Sequence, residues 1–182
     1  TKDLYIVEKP VAAALGEGID VSHTPGTLIV DFGADTVEIS VLAQGGVVTS
    51  RLLKIGGNTM NEVICESVKE KCRLLIGMKT AEALKLELGS ALNTVSSSKN
   101  ILGRDMISGL PAEVSVSSKI VCEPIQELLH RVIYKINGIF EHTPPEVLRS
   151  IQNGGMIVTG EGSRLSNLRM YLERELGIPV VM

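Results

Sequence analysis

An α/β fold is predicted by three observations. The 182 residues include two Phe, three Tyr and no Trp. The core must therefore come from Leu, Ile, Val and Ala, which suits packed helices and strands better than a sandwich anchored on aromatic rings. Residues 27–55 carry three runs of strand formers separated by short turn signals. Residues 125–181 then pass from a long helical apolar stripe to a strand, a glycine turn, a helix and a last strand.

Each element has its own signal. Residues 4–7 are a short apolar run ended by Pro10, which is welcome in the first turn of the Ala-rich helix that follows. Gly16 and Gly18 supply the helix exit, and the HTPG segment at 23–26 reads as a turn. TLIVDFG is the first strand. Val37, Ile39 and Val41 then alternate with Glu38 and Ser40 in a second, and Gly45-Gly46 signals the hairpin into a third at 47–55. Gly56-Gly57-Asn58 ends this meander and starts a helix carrying Met60, Val63, Ile64, Val68 and Cys72 at helical spacing. Another helix is expected from Thr80, with that threonine as cap. Residues 93–118 read as strands and loops of a small subdomain. Ile125 to Phe140 form a long stripe, with Pro124 at its first turn or at a kink. Pro144-Pro145 opens a short helix, 155–159 is a buried strand, GEGS is a turn, 164–176 a helix and IPVV a strand. This order is compatible with a ribonuclease-H-like half-domain.

Composition narrows the function. Hydrophobic residues make up 44% and charged residues 21%, as in an ordinary soluble globular chain of one or two small domains. The net charge is −3 without a basic block, which argues against a nucleic-acid partner. Cys65, Cys72 and Cys122 are spaced as structural thiols in a reducing cytoplasm rather than as a metal site. No apolar run approaches the ~18 residues of a membrane span, and no signal peptide opens the chain. The opening TKDLYIVEKP lacks an initiator Met, so a segment of a longer protein is expected.

Three places could carry chemistry. The DFGADT hairpin at 31–36 exposes successive backbone N–H groups that can cradle a phosphate, and Asp31 can hold Mg²⁺ through water. The simpler reading is a hairpin using Asp and Gly for turn geometry. The TGEGS turn at 159–163 has the strand–glycine–helix form of an anion site, although most such turns only connect elements. Glu82 and Lys85 share a helix face, as an ion pair or as ribose and adenine contacts. His23, His130 and His142 are too scattered to form a triad or a ligand set, and no GxxxxGK[ST] loop is present.

Taken in order, the segments EKPVAAALGEGIDV, LIVDFGADTVEISVLAQGGVV, LLIGMKTAEALKLELGSA, GRDMISGLPAEVSVSS, HTPPEVLRSI and GGMIVTGEGSRLSNLRMYLERELGIPV resemble the bacterial actin-like MreB family. The resemblance is collinear from about residue 5 to 182, and it implies the second lobe of an actin-like ATPase fold. Residues 1–73 and 119–182 would form the larger subdomain, and 74–118 the smaller inserted one. It further implies ATP and Mg²⁺ held between two lobes. Asp31, Gly33 and Thr36 would be the phosphate and metal loop, Gly160 and Gly162 the adenosine turn, and Glu82 and Lys85 the ribose and base contacts. Family proteins assemble into filaments at the inner face of the membrane and guide cell-wall synthesis and rod shape. The first lobe, with its membrane-contacting segment, would lie outside this chain.

The chain departs from the family pattern at three nucleotide-facing points. Lys9 stands where the family has the acidic residue that orients the attacking water, and a protonated lysine cannot act as a base. It could instead neutralise a γ-phosphate. Ala34 and Asp35 replace glycines of DxGGGT. A carboxylate 4 Å from a phosphate charge would be repelled by roughly 4 kcal/mol at an effective dielectric of 20, unless a metal or Lys9 offsets it. Glu161 replaces a glycine of TGGG. The expectation is a family member with weakened ATP–Mg²⁺ binding and doubtful hydrolysis, with no catalytic base in this chain, acting by filament formation or by modulating an active paralogue. A slow ATPase with rearranged groups and a nucleotide-independent scaffold are the alternatives.

Overall fold

The structure, a computed structural model, describes residues 4, 6–92 and 96–182. Tyr5, in the first expected strand, and residues 93–95, at the start of the expected strand-and-loop segment, lie outside it. A five-stranded sheet is the centre of the fold. It consists of β1 (Thr27–Phe32), β2 (Val37–Ala43), β3 (Gly46–Leu53), β7 (Met156–Thr159) and β8 (Val180–Val181), in the order β3-β2-β1-β7-β8. The first three form the antiparallel meander, and β7 and β8 add to β1 in parallel.

One face of this sheet carries Leu28, Val30, Phe32, Val37, Ile39, Val41, Met156 and Val158. Against it pack α2 (Gly57–Cys72), α4 (Ser118–Phe140), α5 (Pro145–Gly154) and α6 (Leu168–Leu176). The opposite face carries Ile29, Leu42 and Ile157, covered by Ala14 of α1 (Lys9–Gly16) and by Val21. This second cover explains why β2 is not the half-solvated strand its alternation suggested. Ser40 and Leu42 are as buried as Ile39 and Val41. Each fully buried Leu or Ile contributes about 1.5–3 kcal/mol.

A second, antiparallel sheet contains β4 (Leu74–Leu75), β5 (Ser98–Asp105) and β6 (Pro111–Ser117). Its Leu74, Ile101 and Val116 meet Ala81 and Leu84 of α3 (Met78–Leu88), and the apolar core runs on without a break into α2 and α4. Cys65 and Cys72 are half-buried against this core, and burial pushes both thiols up.

Several boundaries differ from the expected ones. Leu4, Ile6 and Val7 belong to no strand and are exposed. The β2–β3 turn is centred on Gln44-Gly45, both at positive φ, one residue before the glycine pair, because Ala43 pairs with Gly46. Helix α3 starts at Met78 on the Gly77 carbonyl, so Thr80 lies inside its first turn and is not its cap. A 3-10 turn, Glu161–Arg164, precedes α6, which therefore starts four residues later than periodicity suggested.

Helix α4 begins six residues before Pro124, placing that proline in its interior. Proline has no N–H for the carbonyl four residues earlier, that of Ile120. The Ser67 hydroxyl of α2 donates to this carbonyl at 2.8 Å. The gap in one helix is thus filled from its neighbour and joins the two. Tyr171 of α6 is fully buried beside His130 and under the Arg174 guanidinium. Its hydroxyl has no partner among the described residues. Burial first, then the Glu175 charge, push its pKa up to about 12, against the lowering effect of Arg174.

Two stability measurements by chemical denaturation follow from these contacts. Ser67→Ala costs about 0.5–1.5 kcal/mol, since it removes the hydrogen bond that a half-buried carbonyl receives. The same change costs much less in a Pro124→Ala background, where the restored N–H takes the Ile120 carbonyl; additive effects would contradict this coupling. Tyr171→Phe, which removes an orphaned hydroxyl without changing the ring, is neutral or stabilising, and a loss above about 1 kcal/mol would show that the hydroxyl has a partner.

Candidate functional site

Register places three polar side chains in a row across the end of the sheet. Asp31 on β1 lies opposite Glu38 on β2 and opposite Thr159 on β7, on the face that α1 partly covers. Lys9, the first residue of α1, reaches this row. Its ammonium donates to Asp31 Oδ2 and lies 3.8 Å from Glu38 Oε2. Thr159 Oγ1 donates to Asp31 Oδ1 at 3.0 Å. Behind the row, Ser50 donates to Glu38 at 3.2 Å and Ser40 donates to Ser50 at 2.9 Å. The hydrogen bond to Asp31 raises the Lys9 pKa, helped by the charges of Asp31 and Glu38 and opposed by partial desolvation. The lysine side chain stays 58% exposed and that of Asp31 only 16%, so solvent screens much of the pair's energy.

Beyond Asp31 the hairpin closes through Gly33 N–H to the Thr36 carbonyl at 2.8 Å. The first turn of α2 is fastened to this loop. Gly57 N–H donates to the Gly33 carbonyl at 3.1 Å, and Asn58 N–H to the Ala34 carbonyl at 2.8 Å. The approach is so close that a Cβ on Gly56 would stand 2.4 Å from the Ala34 carbonyl oxygen. Asp35 is exposed, and its Oδ1 accepts Asn58 Nδ2 at 2.8 Å. Asn58, rather than Lys9, is its partner among the described residues. The carboxylate is open to solvent, which would screen its repulsion of any nearby anion below the sequence-based figure.

Next to the loop is a cavity of about 330 Å³. Gly33, Ala34, Gly57, Asn58 and Met60 form one wall; Glu82, Lys85, Leu86 and Gly89 of α3 and its exit form a second; Glu161, Gly162, Arg164, Leu165 and Ser166 form a third. Lys85 Nζ donates to the Gly57 carbonyl at 3.0 Å, tying α3 to the start of α2. Desolvation lowers the Lys85 pKa, and the Glu82 charge opposes the shift. The volume and the mixture of apolar walls with a few charged groups suit a small organic ligand.

Of the residues singled out in the sequence, Gly33, Ala34, Glu82, Lys85, Glu161 and Gly162 meet at this cavity. Asp31, Thr36, Lys9, Asp35 and Gly160 do not line it. Gly160 has its own structural requirement, with φ +85° and a space where a Cβ would stand 2.3 Å from the Phe32 carbonyl oxygen. Sequence reasoning missed the other wall residues, Asn58, Leu86 and Arg164 among them. Asn58 had a signal, the GGN helix start. Arg164 did not, because it reaches the cavity only through the 3-10 turn that replaces the expected helix start.

Mg²⁺ favours octahedral oxygen ligands, commonly one or two carboxylates and retained waters. In this arrangement Asp31 already accepts an ammonium on one oxygen and a hydroxyl on the other. The row fits a lysine, not a divalent ion.

A family model described as MreB/Mbl protein matches residues 1–182. The cell shape-determining protein Mbl of Bacillus subtilis is 35% identical over 182 residues, covering 100% of this chain and 55% of that protein. The cell shape-determining protein MreB of Escherichia coli is 36% identical over 182 residues, covering 100% and 52%. The chain thus spans about half the length of these curated relatives. The crystal structure of MreB5 of Spiroplasma citri bound to AMPPNP superposes with a TM-score of 0.88 at 32% identity, over 93% of this chain and 51% of that one. With a match along its whole length and relatives at these identities, the chain belongs to the MreB/Mbl family and has the actin-like ATPase fold.

Proposed function

We propose that this protein is a self-associating cytoskeletal member of its family that binds ATP weakly and hydrolyses it slowly or not at all. The observation that carries the reading is the cavity where the 33–36 loop, the start of α2, the Glu82–Lys85 face and the glycine turn converge. MreB5 of Spiroplasma citri has been solved with AMPPNP and with ADP, which supports a nucleotide as the ligand here. Gly33 and Ala34 would border the phosphates, with Asp31 and Thr36 supporting their loop. Glu82 and Lys85 would contact ribose and base, and Gly160 and Gly162 would shape the adenosine side. The larger subdomain, 1–73 with 119–182, supplies the loop and the glycine turn, and 74–118 supplies the helix face.

Weak binding follows from Ala34 and Glu161 on the cavity walls, where a methyl group and a carboxylate narrow the space and add negative charge. Impaired hydrolysis follows from Lys9, which is ion-paired and cannot take a proton from water. Such a protein would act by filament formation, alone or with an active paralogue, in cell shape and the guidance of cell-wall synthesis. No helix among the described residues is long and apolar enough to cross a membrane. The proposed location is the cytoplasm at the inner membrane face, with any membrane contact made by a first lobe.

Calorimetric titration of ATP with Mg²⁺ into the full-length protein tests this. The unmodified protein binds weakly, and an Ala34→Gly, Glu161→Gly variant binds about tenfold tighter, near 1.4 kcal/mol. Phosphate release by the unmodified protein at the rate of an active family ATPase would sink the proposal. Lys85→Ala, which frees the Gly57 carbonyl and removes a cavity cation, should weaken AMPPNP binding by about 1–2 kcal/mol; unchanged affinity would place the ligand elsewhere.

A further inference from the structure

The Lys9, Asp31 and Glu38 row carries an inference that rests on the nucleotide reading and deepens it. Asp31 and Glu38 are directly opposed across two antiparallel strands. Like charges in that position repel, and a cation between them relieves the repulsion. The chain supplies one itself. The Lys9 ammonium donates to Asp31 and lies within 3.8 Å of Glu38. Its position is set by the fold rather than by chance, because the next residue, Pro10, is buried in the first turn of α1, and α1 packs on the same sheet face as the row. An ammonium has three donors, and a lysine side chain 58% exposed keeps a donor open to solvent. The cavity is close by. A Cβ on Gly33, which lines it, would stand 3.9 Å from the same Asp31 oxygen that holds the lysine.

We propose that the Lys9 ammonium, held by Asp31 and Glu38, stands in permanently for a divalent cation, so that nucleotide binds to this protein without Mg²⁺. A tethered single charge replaces a diffusible double one. A dication could enter only by breaking the Lys9–Asp31 pair and lying beside the displaced ammonium. The nucleotide site is then insensitive to magnesium, and its affinity is set by contacts within the chain.

The test uses the full-length protein, AMPPNP as probe, and two media, one with excess MgCl₂ and one with EDTA. The unmodified protein and a Lys9→Arg variant, which keeps the cation, should bind AMPPNP with a Kd that differs less than about twofold between media. Lys9→Met, which keeps the length and loses the charge, should bind about tenfold tighter with Mg²⁺ than with EDTA. A separate arm needs no nucleotide. Water-proton relaxation should show Mn²⁺ bound to Lys9→Met and not to the unmodified protein, with circular dichroism confirming that both are folded. A tenfold or greater Mg²⁺ dependence in the unmodified protein, or Mn²⁺ binding to it, would overturn the proposal. If no protein binds AMPPNP in either medium, the nucleotide reading fails and the magnesium-free binding proposed here fails with it. The Mn²⁺ arm then still decides whether the lysine excludes a dication.

Discussion

Strand β1 pairs with β2 in antiparallel register and with β7 in parallel register, and this double pairing governs the rest of the molecule. A strand hydrogen-bonded on both sides and covered on both faces has no tolerance for a register slip, which would carry Leu28, Val30 and Phe32 to the α1 side. The fixed register puts Glu38, Asp31 and Thr159 side by side. It also brings the hairpin after β1 and the glycine turn after β7 to the same end of the sheet. Two loops separated by more than a hundred residues become neighbours because their strands are neighbours.

The helical layer transmits this order to the cavity. The main-chain groups of Gly57 and Asn58 bind the hairpin carbonyls, so the start of α2 cannot move independently of β1. Lys85 ties α3 to the same point through the Gly57 carbonyl. Ser67 ties α2 to α4 where Pro124 leaves the Ile120 carbonyl without an N–H. These are polar contacts at the ends or flaws of regular elements, where backbone groups would otherwise lack partners. The apolar core holds the layers together, and these few bonds set how the layers are aligned.

Lysine at position 9 changes the electrostatic character of the site. Two carboxylates facing each other across strands would favour a diffusible cation, and the covalently attached ammonium meets that demand at high effective concentration. Asp35 and Glu161, by contrast, have different fates. Asp35 turns to Asn58 at the surface, whereas Glu161 remains on the cavity wall. These three charged positions are therefore not equivalent, although all look alike as charges in a one-dimensional reading.

By itself the sequence determined the elements whose signals are local. Runs of strand formers between turn signals marked β1 to β3, the long apolar stripe marked α4, and Pro10 and Pro145 marked helix starts, because strand propensity, helical repeat and proline geometry act over a few residues. The family resemblance, carried by collinear motifs, was equally legible, as were six of the cavity's wall residues. The tertiary structure decided what depends on distant partners. Ser40 and Leu42 are buried because α1 crosses over them, Pro124 is tolerated because Ser67 lies beside it, and Arg164 reaches the cavity through a 3-10 turn against β1. The pairing of Lys9 with Asp31 spans 22 residues and two elements. No local pattern encodes it, since the energy that favours it arises only when the sheet has already set Asp31 against Glu38.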